Sequence, residues 1–175
     1  MKRIIVSLTV CSIAALSLAG GLKDMVMATN NAVIKAIKAK DVAAFEKAVK
    51  PTVTKDFKYI EMGRTMDYKT MVSNMKMGFQ MMDKVEKAEV KLISCKESGN
   101  KGTAVYVVDM VNTMMGEDKK VHKIGFKGKS TDMYVKVNGK WMCKQMTWTE
   151  VVMTMDGKPF DPSKMAPPAN TGKGK

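Results

Sequence analysis

Asp109, Asp132, His122 and Tyr59 are this chain's candidates for proton transfer. A carboxyl held among apolar neighbours has its pKa raised, because burial disfavours the charged form, and it becomes a general base nearer neutrality. The chain's single histidine, His122, could relay or donate a proton beside such a base. The 19 methionines are a second unusual resource, since thioethers select soft ions such as Cu(I). Leucine, however, occurs only at 8, 16, 18, 22 and 92, and Met71, Met75 and Met82 interleave with Val72 and Phe79 at helical spacing. Methionine is therefore expected to fill the core where leucine normally would. There is no His/Cys cluster with ligand spacing, no phosphate-cradling glycine loop and no nucleophile elbow. Neither a metal nor a cofactor is expected.

The elements that must position these groups can be read from periodicity. Val33, Ile34 and Ile37 fall on one side of a helix ending near Lys40, and Asp41 caps a second helix through Ala44, Phe45 and Val49. Pro51 ends it. Asp56–Glu61 then reads as a strand running to a turn at Gly63, and Asp67 caps a helix carrying the methionine face to about Val85. Beyond it the apolar period changes from 3.6 to 2 over 88–95, 104–115, 121–136 and 141–154. This predicts a four-stranded antiparallel meander, its last turn the two-residue hairpin Asn138-Gly139.

Register then fixes which side chains share a face. From the Asn138-Gly139 loop, Cys143 opposes Tyr134 and Gln145 opposes Asp132. A loop of Gly116 to Lys119 sets Thr113 against His122, Val111 against Ile124 and Asp109 against Phe126. Provided no bulge at Gly125 or Gly128 switches parity, one face carries Val107, Asp109, Val111, His122, Ile124, Phe126, Asp132, Tyr134 and Gln145. Tyr106, Val108 and Met110 fall on the other. Trp141 and Trp148 are expected to pack across strands. Cys95 and Cys143 lie on the first and fourth meander strands, about 14 Å apart at about 4.8 Å per strand, so free thiols are expected.

The paired helices broken at Lys40-Asp41, the Asp56-Phe57-x-Tyr59-Ile60 strand, Gly63-Arg64 leading into the Asp67 helix, and the Asn138-Gly139-Lys140-Trp141 hairpin resemble the nuclear transport factor 2-like superfamily. The resemblance spans about residues 30 to 154. It implies an α+β fold, with N-terminal helices packed on a curved antiparallel sheet to make a cone, and it makes the helix-covered face a pocket wall. With Tyr59, the nine residues sharing the first face are then the expected pocket lining. The superfamily includes isomerases, dehydratases and inactive domains, so the fold leaves the chemistry open. Neither the tyrosine–aspartate pair of ketosteroid isomerase nor the two-histidine set of scytalone dehydratase is visible in the sequence.

Lys2 and Arg3, an apolar run from Ile4 to Leu18, and small residues at Ser17 and Ala19 have the layout of a secretory signal over 1–20. The chain is expected to be exported, with no membrane span once the signal is removed. A single domain over 28–155 and a disordered basic tail over 156–175 would follow. The formal charge of +13 comes from lysines scattered along the chain, with no arginine-rich helix, so nucleic acid is not an expected partner. The expected function is binding of a small apolar molecule or a peptide in the cone, without catalysis. The alternatives are an acid–base enzyme using Asp109 or Asp132 with Tyr59 or His122, and a structural homodimer pairing through Tyr106, Val108 and Met110.

Overall fold

The computed structural model describes residues 21–116 and 118–161. The expected signal segment, and the part of the expected tail beyond 161, lie outside these residues.

Helix α1 (Leu22–Ala39) begins earlier than the apolar spacing suggests. Its N-cap, Gly21, offers no side-chain acceptor, and the first free N–H, that of Leu22, donates instead to Glu97 Oε1 at 2.6 Å. The helix ends at Lys40, in the left-handed region at φ 52°. Asp41 then caps α2 (Val42–Val49) by accepting from the Ala44 N–H at 2.9 Å. A 3-10 turn through Pro51 leads into β1 (Val53–Glu61), and a turn with positive φ at Met62 and Gly63 joins β1 to β2 (Arg64–Met66).

Asp67 caps α3 (Tyr68–Met81), accepting from Thr70 N–H at 2.8 Å. This helix stops four residues short of Val85. Met82 is already extended and paired with Met114, and the Lys40 ammonium binds the Met82 and Asp83 carbonyls at 3.1 and 2.6 Å. Sheet pairing thus wins over helical propensity for residues 82–85.

The meander is present as β3 (Met82–Ser98), β4 (Lys101–Met115), β5 (Val121–Val137) and β6 (Lys140–Met155). The sheet order is β2-β1-β6-β5-β4-β3, and β1 lies parallel to β6, which makes the sheet mixed rather than purely antiparallel. A two-residue strand, β7 (Lys158–Pro159), folds back on β6, and Phe160 N–H donates to the Met153 carbonyl at 2.9 Å. The expected tail therefore starts as sheet, and Leu22, outside the expected domain, is fully buried.

The helices cover one face of the curved sheet. Leu22, Val26, Ile37, Phe45, Met71 and Phe79 pack there on Ala88, Ala104, Tyr134, Trp141 and Cys143. Met75, Met82, Met110 and Met146 join this cluster from its margin, the role expected of methionine in a leucine-poor chain. Cys95 and Cys143 are free thiols.

Candidate functional site

Two register details decide what the cone contains. The β4–β5 connection is five residues long, not four: Gly116 N–H bonds the Lys120 carbonyl at 2.8 Å and Lys119 takes φ 61°, so Met115 opposes Val121. The shift by one residue reverses the expected faces of β4. Tyr106, Val108, Met110 and Asn112 point toward the helices, whereas Val107, Asp109 and Val111 point away. The second detail is a bulge on β6. Tyr134 opposes Cys143 as expected, but Met133 opposes Gln145, which leaves Lys144 as the extra residue and turns Gln145 to the outer face.

At the centre of the inner face is Asp132, with 1% of its surface exposed. Its Oδ1 accepts from Ser130 Oγ at 2.6 Å, and its Oδ2 accepts from Tyr106 Oη at 2.9 Å and Tyr134 Oη at 3.1 Å. Burial raises the Asp132 pKa to about 6, against the lowering effect of the three hydroxyls. Burial and the adjacent Asp132 charge push both tyrosines well above their usual value. The Cys143 thiol is pushed up for the same two reasons, so it is held as an inert thiol.

From β1, Tyr59 and Glu61 face the same interior two residues apart. Burial, and then the charge of Glu61, raise the Tyr59 pKa; burial raises that of Glu61. The Trp148 indole N–H is near enough to Tyr59 to favour its ionised form, yet it is buried and completes no hydrogen bond of ordinary geometry. Tyr106 and Phe126 pack edge-on to Trp148, with centroids 6.2 and 5.4 Å away. Gly128 makes this possible, because a Cβ there would stand 3.0 Å from both Phe126 and Trp148 ring atoms.

Of the expected pocket residues, the structure brings Tyr59, Ile124, Phe126, Asp132 and Tyr134 to the inner face. Val107, Asp109, Val111 and Gln145 are removed from it by the two register details. Asp109 instead pairs with Lys87 at 2.9 Å on the outer face. His122 lies ten residues before Asp132 on the same strand, about 33 Å away at about 3.3 Å per residue, so the two cannot exchange a proton. Its ring spans Asp156 (Nδ1 to Oδ2, 2.7 Å) and Asp118 (Nε2 to Oδ1, 3.0 Å), fastening the β4–β5 loop to the β6–β7 turn.

Sequence reasoning missed Ser130, Glu61 and the inward aim of Tyr106 and Trp148. The spacing Ser130-x-Asp132-x-Tyr134 was the available signal, since period 2 places all three on one face of a strand. A tyrosine–aspartate pair, not visible in the sequence, is formed in space. Tyr106 and Val108 are buried and Met110 packs against the core, so these three side chains lie on the inner face and not on the outer face expected of them. Among the described residues no group of three or more His, Cys, Asp and Glu is placed to hold a metal, and no helix is long and apolar enough to cross a membrane.

No protein-family model matches the chain, and no curated protein matches it in sequence. Solved structures do match in fold. A conserved protein from Planctomyces limnophilus DSM 3776 superposes with a TM-score of 0.59 at 11% identity, over 75% of this chain and 97% of that one. A hexachlorocyclohexane dehydrochlorinase gives 0.59 at 12% identity over 84% and 94%. A nuclear transport factor 2-like protein from Cytophaga hutchinsonii ATCC 33406 gives 0.53 at 13% identity over 74% and 98%. The chain therefore has the nuclear transport factor 2-like fold, a cone of helices on a curved sheet; identities this low bear on fold alone.

Proposed function

We propose that the chain is an exported binding domain that holds a small, mainly apolar molecule in its cone without converting it. The observation that carries this is a contrast inside the cone. Asp132, the group best suited to be a base, has three protein hydroxyls on its two oxygens, while the indole N–H of Trp148 is buried and completes no hydrogen bond. An unpaired buried donor costs about 1–3 kcal/mol, so a ligand carbonyl or ether oxygen placed there would recover that cost. Phe126 and Tyr59 beside it, with Met110 and Met146 elsewhere on the inner face, supply an adaptable apolar wall. Export rests on the N-terminal charge and apolar run.

The test is native mass spectrometry of protein recovered from the expressing cells, followed by calorimetric titration of the parent and variant proteins with whatever co-purifies. A bound oxygen-bearing apolar compound, with Trp148→Phe weakening it about tenfold, is the expected result; one hydrogen bond of about 1.4 kcal/mol accounts for that factor. Empty protein that gives no heat of binding with any such compound would overturn the proposal.

The Asp132 pKa of about 6 supports a second role, as an acid–base catalyst of the isomerase or dehydratase kind. It requires the carboxylate to exchange one hydroxyl partner for a substrate. Turnover of the co-purified compound that Asp132→Asn abolishes would establish this role, and binding without turnover would exclude it.

A further inference from the structure

The β6 bulge has an effect on the outer face of the sheet. Following register from strand to strand, Lys58 opposes Gln145, Gln145 opposes Met133, Met133 opposes Thr103 and Thr103 opposes Lys96. These five residues form one straight row across β1, β6, β5, β4 and β3. Directly opposed residues share a face, so the row presents ammonium, amide, thioether, hydroxyl and ammonium in that order. It forms the floor and two rims of a groove of about 740 Å³, whose margins also include Lys101 and Lys144. Met133, at the centre, is 49% exposed.

The charges of the groove do not cancel. Lys144 is matched by Asp56 at 3.5 Å, and Glu97 is occupied by the α1 N-terminus through Leu22 N–H. Among the described residues, no carboxylate lies within ion-pair distance of Lys58, Lys96 or Lys101. Four inter-strand steps of about 4.8 Å set the Lys58 and Lys96 backbones about 19 Å apart, and the side chains can lean inward from there. We propose that this groove is a binding site, distinct from the cone, for an elongated small molecule with an anionic group at each end and an apolar middle, of the α,ω-dicarboxylate class. One anion meets Lys58, the other meets Lys96 with Lys101 beside it, and the apolar span lies over Met133. At mid-span the Gln145 amide nitrogen is committed to Thr147 Oγ1 at 3.1 Å, so the row has no free cation between its two ends.

Heteronuclear NMR titration of the purified protein with dodecanedioate, dodecanoate and adipate tests this. Dodecanedioate is expected to bind most tightly, with shifts centred on Thr103, Met133 and Gln145. Dodecanoate, with one anion, should bind about fivefold more weakly, as the loss of one exposed charge contact of about 1 kcal/mol implies, and adipate, which bridges the lysines only when both lean fully inward and has little apolar span to lay over Met133, should also bind more weakly. Lys58→Met and Lys96→Met, both exposed and chosen to leave the fold intact, should each reduce dodecanedioate to the level of dodecanoate. Equal binding of dodecanoate and dodecanedioate, lysine variants that bind like the parent, shifts centred on Trp148 instead, or a dimer in sedimentation that buries Met133 would each overturn the proposal.

Discussion

Tyr106 and Asp132 are 26 residues apart on neighbouring strands, and their hydroxyl and carboxylate meet at 2.9 Å in the interior of the cone. The bond is made by a register one residue removed from the one a shorter β4–β5 loop would give. Tyr106→Phe should lower unfolding free energy by about 1–3 kcal/mol, because it takes a donor from a buried carboxylate. It should also raise the Asp132 pKa, since the Tyr106 hydroxyl lowers it. Urea denaturation and NMR titration of the carboxyl carbon would measure the two effects; a variant as stable as the parent would mean that the network is not formed.

Asp132 also sets a pH dependence. Its folded pKa, about 6, lies above the ordinary carboxyl value of 3.8. The folded state therefore binds the proton more tightly, and the contribution to stability is fully present below about pH 4 and lost as pH rises through 6. The two values correspond to about 3 kcal/mol across that window. Asp132→Asn should flatten the stability–pH curve between pH 4 and 6, whatever it does to the absolute value. Denaturant midpoints measured across that range decide it.

His122 behaves in the opposite half of the scale. Hydrogen bonds to Asp156 and then Asp118 raise its pKa above 6.5, so its contribution is complete below that value and disappears as pH rises through the folded pKa. Raising the pH toward 8 should loosen the β6–β7 turn in the parent protein and leave His122→Ala unchanged. Amide protection factors at Lys123, whose N–H in β5 donates to the Asp156 carboxylate, and at Asp156, whose N–H donates to the Lys123 carbonyl, are the readout.

Leu22 tests the domain boundary. It is fully buried although spacing suggested a domain starting at residue 28, and Leu22→Ala should cost about 2–5 kcal/mol. Gly102→Ala should destabilise through the same contact, since a Cβ there would press on Leu22 Cδ2 and sit 3.1 Å from the Lys96 carbonyl. Thermal denaturation of both variants checks the pair. Losses confined to Gly102→Ala would show that the backbone contact, rather than Leu22 packing, is what matters.

The fold was legible where sequence carries local geometry. Asp41 and Asp67 cap the helices expected of them, and Asn138-Gly139 makes the tight hairpin, with φ of 51° and 77°. The four strands and the free thiols follow from the period and the strand order. The site was legible only in part, because face assignment depends on counting from each loop. The count failed at Lys119, whose left-handed backbone extends the β4–β5 loop, and at Lys144, which β6 bulges out. Neither residue is a glycine or asparagine that would announce such a conformation. Tyr59, Asp132 and Tyr134 were placed correctly because β1 and the Asn138-Gly139 hairpin need no such count. Asp109 and Gln145 were not.

The bond from Leu22 N–H to Glu97 Oε1 closes a loop of 75 residues, and α1 has no cap of its own. Its first turn can be fixed only after the β3–β4 hairpin has brought Glu97 into place, so that turn should be among the last parts of the chain to become protected during refolding and the first to fray in the native state.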